Sequence, residues 1–182
     1  MEIGVLIHFD ISTYIPSDGC GNPSQLPNQT SFDPTLLNTT QWVSTINKLG
    51  AKYGTLVAKH ECGFTTWPSN VTFPTTTDNE TIAYNYTIAQ SPVSGQNVVG
   101  SFSDSAQSNN IGHGFYYSLV SNNFLRVFND AVDDSNTWVP GQVNITDDTF
   151  AQVWSDQITD LWTNYGTLTE VGALLTNVQS SN

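Results

Sequence analysis

Apolar residues gather in four short runs without alternation, and stretches of helical spacing lie between them. The first run, IGVLIHF at positions 3–9, reads as a strand buried on both faces. After a Pro/Gly/Asn-rich loop, NTTQWVSTINKLG sets Trp42, Val43, Ile46 and Leu49 at helical spacing, with Asn or Thr to cap the start and Gly50 to end it. KYGTLVAKH, positions 52–60, is the second strand, followed by a Thr/Pro/Asn-rich insertion from Trp67 to about Gln90. NVVGSFSDSAQSNN is a weaker helix, and GHGFYYSLV, positions 112–120, is the third strand. The clearest helix follows a Thr146–Asp147–Asp148 start, with Phe150, Val153, Trp154, Ile158, Leu161, Trp162 and Tyr165 as its stripe. TLTEVGALL, positions 167–175, is the fourth strand.

Strand alternating with helix predicts an α/β fold with a parallel sheet and right-handed crossovers. Such sheets bind ligands at the carboxyl ends of their strands, whether open or closed into a barrel. His8 ends the first strand and His60 the second, so both should overlook one face, whereas His113 opens the third strand and should lie at the opposite end as a structural residue.

Composition narrows the partners. With 182 residues the chain suits one domain, and 4 Lys plus Arg against 16 Asp plus Glu give a formal charge of −12. No basic surface is available for nucleic acid or an anionic membrane. Charged residues make up only 11%, and six Asn-x-Thr sequons, at Asn28, Asn38, Asn70, Asn79, Asn85 and Asn144, point with that neutral polarity to a secreted glycoprotein. Cys20 and Cys62 are read equally well as a disulfide or as two free thiols. No apolar run approaches the roughly 18 residues of a membrane span, and no signal peptide precedes the first strand.

At the predicted rim, His8 with Asp10, His60 with Glu61, and Tyr116 or Tyr117 with Ser118 converge, with Phe64 and Trp67 as an apolar wall. Imidazoles, a carboxylate, a phenol and a flat ring suit a hydroxyl-rich ligand, so a sugar site is the sharper reading. The blander one makes both histidines polar caps on the rim. A metal site is a third, but the spacing His8–Phe9–Asp10 is no specific signature, and neither metal nor cofactor is assigned.

These residues carry a resemblance to the retaining alpha-L-fucosidases of glycoside hydrolase family 29. EIGVLIHFD resembles the family's first-strand signature around an active-site His; LGAKYGTLVAKHECGFTTWPS its Gly-Ala-Lys-Tyr, Lys-His, Gly-Phe and Trp pattern; IGHGFYYSLV its Gly-x-Tyr-Tyr-Ser strand; and ITDLWTNYGTLTEV the helix and strand that lead to the nucleophile. The resemblance implies a partial TIM (β/α)8 barrel, about the first four β/α units with parallel strands, over residues 1–171, and a divergent tail over 172–182. It implies that a fucosylated glycan or small fucoside is bound by His8, His60, Glu61, Trp67 and one of Tyr116 and Tyr117. Where the family continues Trp-Phe-Asp-Gly after Val171, this chain has Gly172, Ala173 and Leu174, so the nucleophile is missing from its expected place, and the acid/base carboxylate with it. The expectation is therefore a secreted fucosidase homologue, inactive as this truncated chain, or alternatively a non-catalytic fucose- or glycan-binding protein. Four strands without a second half would also leave two edges and the faces of Val5, Ile7, Leu56 and Phe115 uncovered, favouring self-association.

Overall fold

The computed structural model describes residues 3–15, 20, 26–77, 80–135 and 138–174. The sequon at Asn79 and the tail positions 175–182 lie outside them. The elements in chain order are β1 (Gly4–Ile7), α1 (Thr39–Lys48), β2 (Tyr53–Lys59), β3 (Thr72–Pro74), β4 (Thr81–Ala83), α2 (Val98–Ser108), β5 (Gly112–Ser118), β6 (Val127–Phe128), β7 (Ala131–Val132), α3 (Asp147–Asn164) and β8 (Glu170–Leu174). Strands β1, β2, β5 and β8 form one sheet in that order, every neighbouring pair parallel. The alternation in the sequence thus yields the expected parallel sheet, and each helix starts on a residue suited to it. Asn38, Asn97 and Thr146 cap α1, α2 and α3 through their side-chain oxygens.

Register decides what each face of the sheet carries. Ile7, Leu56, Phe115 and Val171 are successive partners across the strands, as are Leu6, Thr55, Gly114 and Glu170 one residue earlier. Ile7, Leu56 and Phe115 belong to the face covered by the helices: a side chain on Gly54, of the same parity, would meet Ile46 of α1 and Phe102 of α2, and His113 bonds Ser103 of α2. Leu56 and Phe115 are accordingly buried, and Val5 and Ile7 pack against the same core. The expectation that these four residues face the uncovered side is wrong. A slip of one residue exchanges the two faces of a strand, and runs that are apolar throughout carry no alternation to fix the parity. The open face instead bears Leu6, 64% exposed, with Thr55 and Glu170, and one step further along the strands Val57, Tyr116 and Gly172.

Two expected members of the helical stripes, Leu49 and Trp162, are also exposed; Gln157, between Val153 and Leu161 on α3, is buried in their company. The insertion after Trp67 contains an antiparallel hairpin, β3–β4, whose strands of three residues are too short to read from pattern. Cys20 and Cys62 form a disulfide, which decides between the two readings of the cysteines. No helix among the described residues is long and apolar enough to cross a membrane.

Candidate functional site

The carboxyl ends of β1 and β2 deliver His8 and His60 side by side. Their ring centroids are 4.5 Å apart with the planes tilted by 48°. Tyr116, from β5, follows with its ring 6.1 Å from that of His60. Two residues beyond His8, Asp10 opens a short helical turn and is 1% exposed. Its Oδ1 accepts hydrogen bonds from the backbone and hydroxyl of Ser12, and its Oδ2 lies 3.4 Å from His8 Nε2. Ser12 did not figure among the expected site residues, although Asp-x-Ser at the start of a turn is a recognisable side-chain-to-backbone capping pattern.

The segment after His60 is built to hold still. The backbone N–H of Gly63 donates to the His60 carbonyl at 3.0 Å, closing a turn in which Gly63 has φ +85°. A Cβ at that position would also strike Asn122 Oδ1, so the turn needs glycine twice over. Asn123 N–H donates to the Glu61 carbonyl and Phe124 N–H to that of Cys62, and the disulfide fixes Cys62 from the other side. Burial pushes the His60 imidazole below its ordinary pKa; Asp10 opposes that shift and His8 adds to it. His60 is thus neutral at pH 7 and offers one donor and one acceptor nitrogen. The Tyr116 phenol is raised, first by burial and then by Glu61, and keeps its proton.

Not every expected site residue joins this group. Trp67 has no exposed surface: it is sunk in the core, with Nε1 donating to Asp160 Oδ2 at 2.7 Å. Phe64 is equally buried, packed edge-on against Tyr86 and tilted against Phe32, so neither ring forms the wall expected of it. Tyr117 points to the helix side, opposite in parity to Tyr116, and its hydroxyl donates to Gln157 Oε1 at 2.6 Å. Glu61 is half-buried beside His60. His113 is 2% exposed at the far end of β5, with Nε2 2.9 Å from Ser103 Oγ and 2.8 Å from the Tyr165 carbonyl. What converges is His8, Asp10, His60 and Tyr116, with Glu61 at the margin.

Residues 25–171 match the alpha-L-fucosidase family. The chain belongs to that family. It is 28% identical over 172 residues to a protein of Oryza sativa subsp. japonica named for alpha-L-fucosidase 1, a match that covers 93% of this chain and 27% of the rice protein. A crystal structure of an alpha-L-fucosidase from Bacteroides thetaiotaomicron superposes with a TM-score of 0.74 at 25% identity, over 94% of this chain and 37% of that one. A family 29 glycoside hydrolase from a rumen bacterium gives 0.71 at 24% identity, over 97% of this chain and 26% of that one, a likeness of fold. This fucosidase-family chain therefore spans well under half the length of these three relatives. Two of its four cations, Lys59 and Arg126, are fully buried, which leaves the acidic surface still less to offer a polyanion.

Proposed function

We propose that this chain supplies the first four β/α units of a fucosidase (β/α)8 barrel and, within it, part of the surface that holds the L-fucosyl group. The observation that carries the reading is the pairing of His8 and His60, 4.5 Å between centroids, at neighbouring strand ends on the side where a parallel sheet binds ligands. Family membership supports the sugar class. Neutral His60 can donate to one hydroxyl and accept from another, Tyr116 adds a phenol, and Asp10 sets a carboxylate oxygen 3.4 Å from His8 Nε2.

By itself the polypeptide of these 182 residues binds fucosides without cleaving them. The strand-end positions Gly172, Ala173 and Leu174 carry no carboxyl group, and a retaining mechanism needs one there with a second about 5 to 5.5 Å away. The open face, with Leu6 at its edge strand, is where further barrel strands or a second copy would pack. A secreted, N-glycosylated context accords with exposed sequons at Asn70 and Asn85 and with the Cys20–Cys62 disulfide.

The test is titration of the chain with L-fucose, followed by calorimetry and by chemical shifts of the histidine rings. His8→Ala and His60→Ala should each weaken binding by about 1 to 3 kcal/mol. Trp67→Phe, a core change, should leave the fucose affinity of folded protein unaltered. A loss at Trp67 equal to that at His60, or no loss at either histidine, would reject the site.

A further inference from the structure

We propose that His8, Asp10 and His60 form a binding site for a divalent transition-metal ion of the zinc type, independent of any sugar. One nitrogen from each imidazole and one carboxylate oxygen lie within 4.8 Å of one another. Tetrahedral zinc with bonds of about 2.0 to 2.2 Å separates its ligand atoms by roughly 3.3 Å. The edge between His8 Nε2 and Asp10 Oδ2 is already 3.4 Å. A movement of roughly 1.5 Å, shared between the His60 and His8 rings, closes the remainder.

The carboxylate is the reason to expect a cation. Asp10 is 1% exposed, and only one of its oxygens is engaged by Ser12; Oδ2 is buried and accepts no hydrogen bond. A buried anionic oxygen without a donor is costly unless a positive charge satisfies it. Ser12 fixes the carboxylate from behind with that oxygen turned toward the imidazoles, as outer groups orient ligands in metal sites. The His8 side chain keeps 47% of its surface in solvent, which provides an entry path and leaves further coordination positions open to water. Two imidazoles and a carboxylate suit zinc, cobalt or nickel rather than calcium or magnesium.

The experiment is a titration of the tag-free, chelator-treated chain with zinc chloride by calorimetry, and with cobalt(II) by visible absorption. One equivalent should bind with a Kd below about 100 µM. His8→Gln, Asp10→Asn and His60→Gln should each weaken it about tenfold or more, since even the groups behind metal ligands are worth that much. Asn at position 10 keeps the acceptor for Ser12, so that variant preserves the turn. A measurement that needs no variant is the histidine ring resonances: zinc should shift those of His8 and His60 and leave His113 in place. Absence of binding up to about 1 mM zinc, unchanged affinity in Asp10→Asn, or a shift at His113 in place of His8 and His60 would overturn the proposal.

Discussion

The ammonium of Lys59 lies 4.5 Å from the centroid of the Tyr117 ring, its register partner across β2 and β5, in the closed interior of the sheet's helix side. It donates to the carbonyls of Ser118 and Ser121 as well, tying the ends of two strands together just below the His60 rim. Burial drives its pKa down from the usual lysine value to about 7, with Glu61 opposing. The unfolded chain therefore holds more protons than the folded one between pH 7 and the ordinary lysine value. Stability must rise with pH across that window, since the cost of burying the charge is fully present below pH 7 and is relieved above it. Urea melts should have a higher midpoint at pH 9 than at pH 7, and Lys59→Met should flatten the difference. A midpoint that falls between pH 7 and 9 would exclude a strongly lowered Lys59.

The Cys20–Cys62 disulfide closes a sequence separation of 42 residues, and loop-closure entropy makes such a link worth about 4 kcal/mol. Cys62 is two residues past His60, so the bond also anchors the turn that sets the His60 ring. Reduction, or the double Ser variant, should lower stability by about that amount and weaken fucose binding even where the chain is still folded. Retention of full fucose affinity in folded, reduced protein would show that the Gly63 turn and its clamp by Asn123 and Phe124 suffice alone.

Trp67 and Asp160 join the insertion after β2 to α3 across 93 residues of sequence. Trp67→Ala empties a fully buried site and should cost about 3 to 5 kcal/mol. Asp160→Ala leaves the indole N–H without its acceptor and should cost about 1 to 3 kcal/mol. Because the two share one interaction, their double variant should cost less than the sum. Additive losses in a denaturation cycle would mean that the hydrogen bond contributes nothing.

How much of this was readable from the sequence depends on the range of the interaction involved. The strand-end rule brought His8 and His60 together because it needs only the order of elements and the ends of two strands. The face of each strand was not readable: Val5, Ile7, Leu56 and Phe115 sit in runs without polar alternation, so their parity emerges only when helices cover one side. Trp67 beside His60 in sequence resembles a ligand wall until Asp160 and the core around it are in place, and nothing local reports a partner so distant. Tyr116 and Tyr117 were interchangeable on paper, and one step of parity separates the rim from the Gln157 side of the sheet.

The carboxylates of the open face limit the chemistry of the 182-residue polypeptide. Glu170 is on that face, but its register partner is Gly114, whereas Tyr116 stands opposite Gly172, one face-step further along β8. That step is about 6.6 Å, more than the whole separation that a retaining pair tolerates. Glu170 is also engaged, its Oε2 accepting from Thr55 Oγ1 at 2.7 Å. Asp10 is buried beside His8 at the end of the first strand, and Glu61 is at the margin of the cluster, so neither stands at the β8 strand end where the proposed sugar site needs its nucleophile. Covalent catalysis needs that bond-forming group, and orientation by imidazoles does not replace it. An aryl alpha-L-fucoside incubated with the purified polypeptide should release aryl alcohol no faster than buffer, and Glu170→Gln should change nothing. Release above buffer that vanishes in Glu170→Gln would show that strand β8 reaches the sugar from its earlier position, and would make this four-stranded sheet catalytic in its own right.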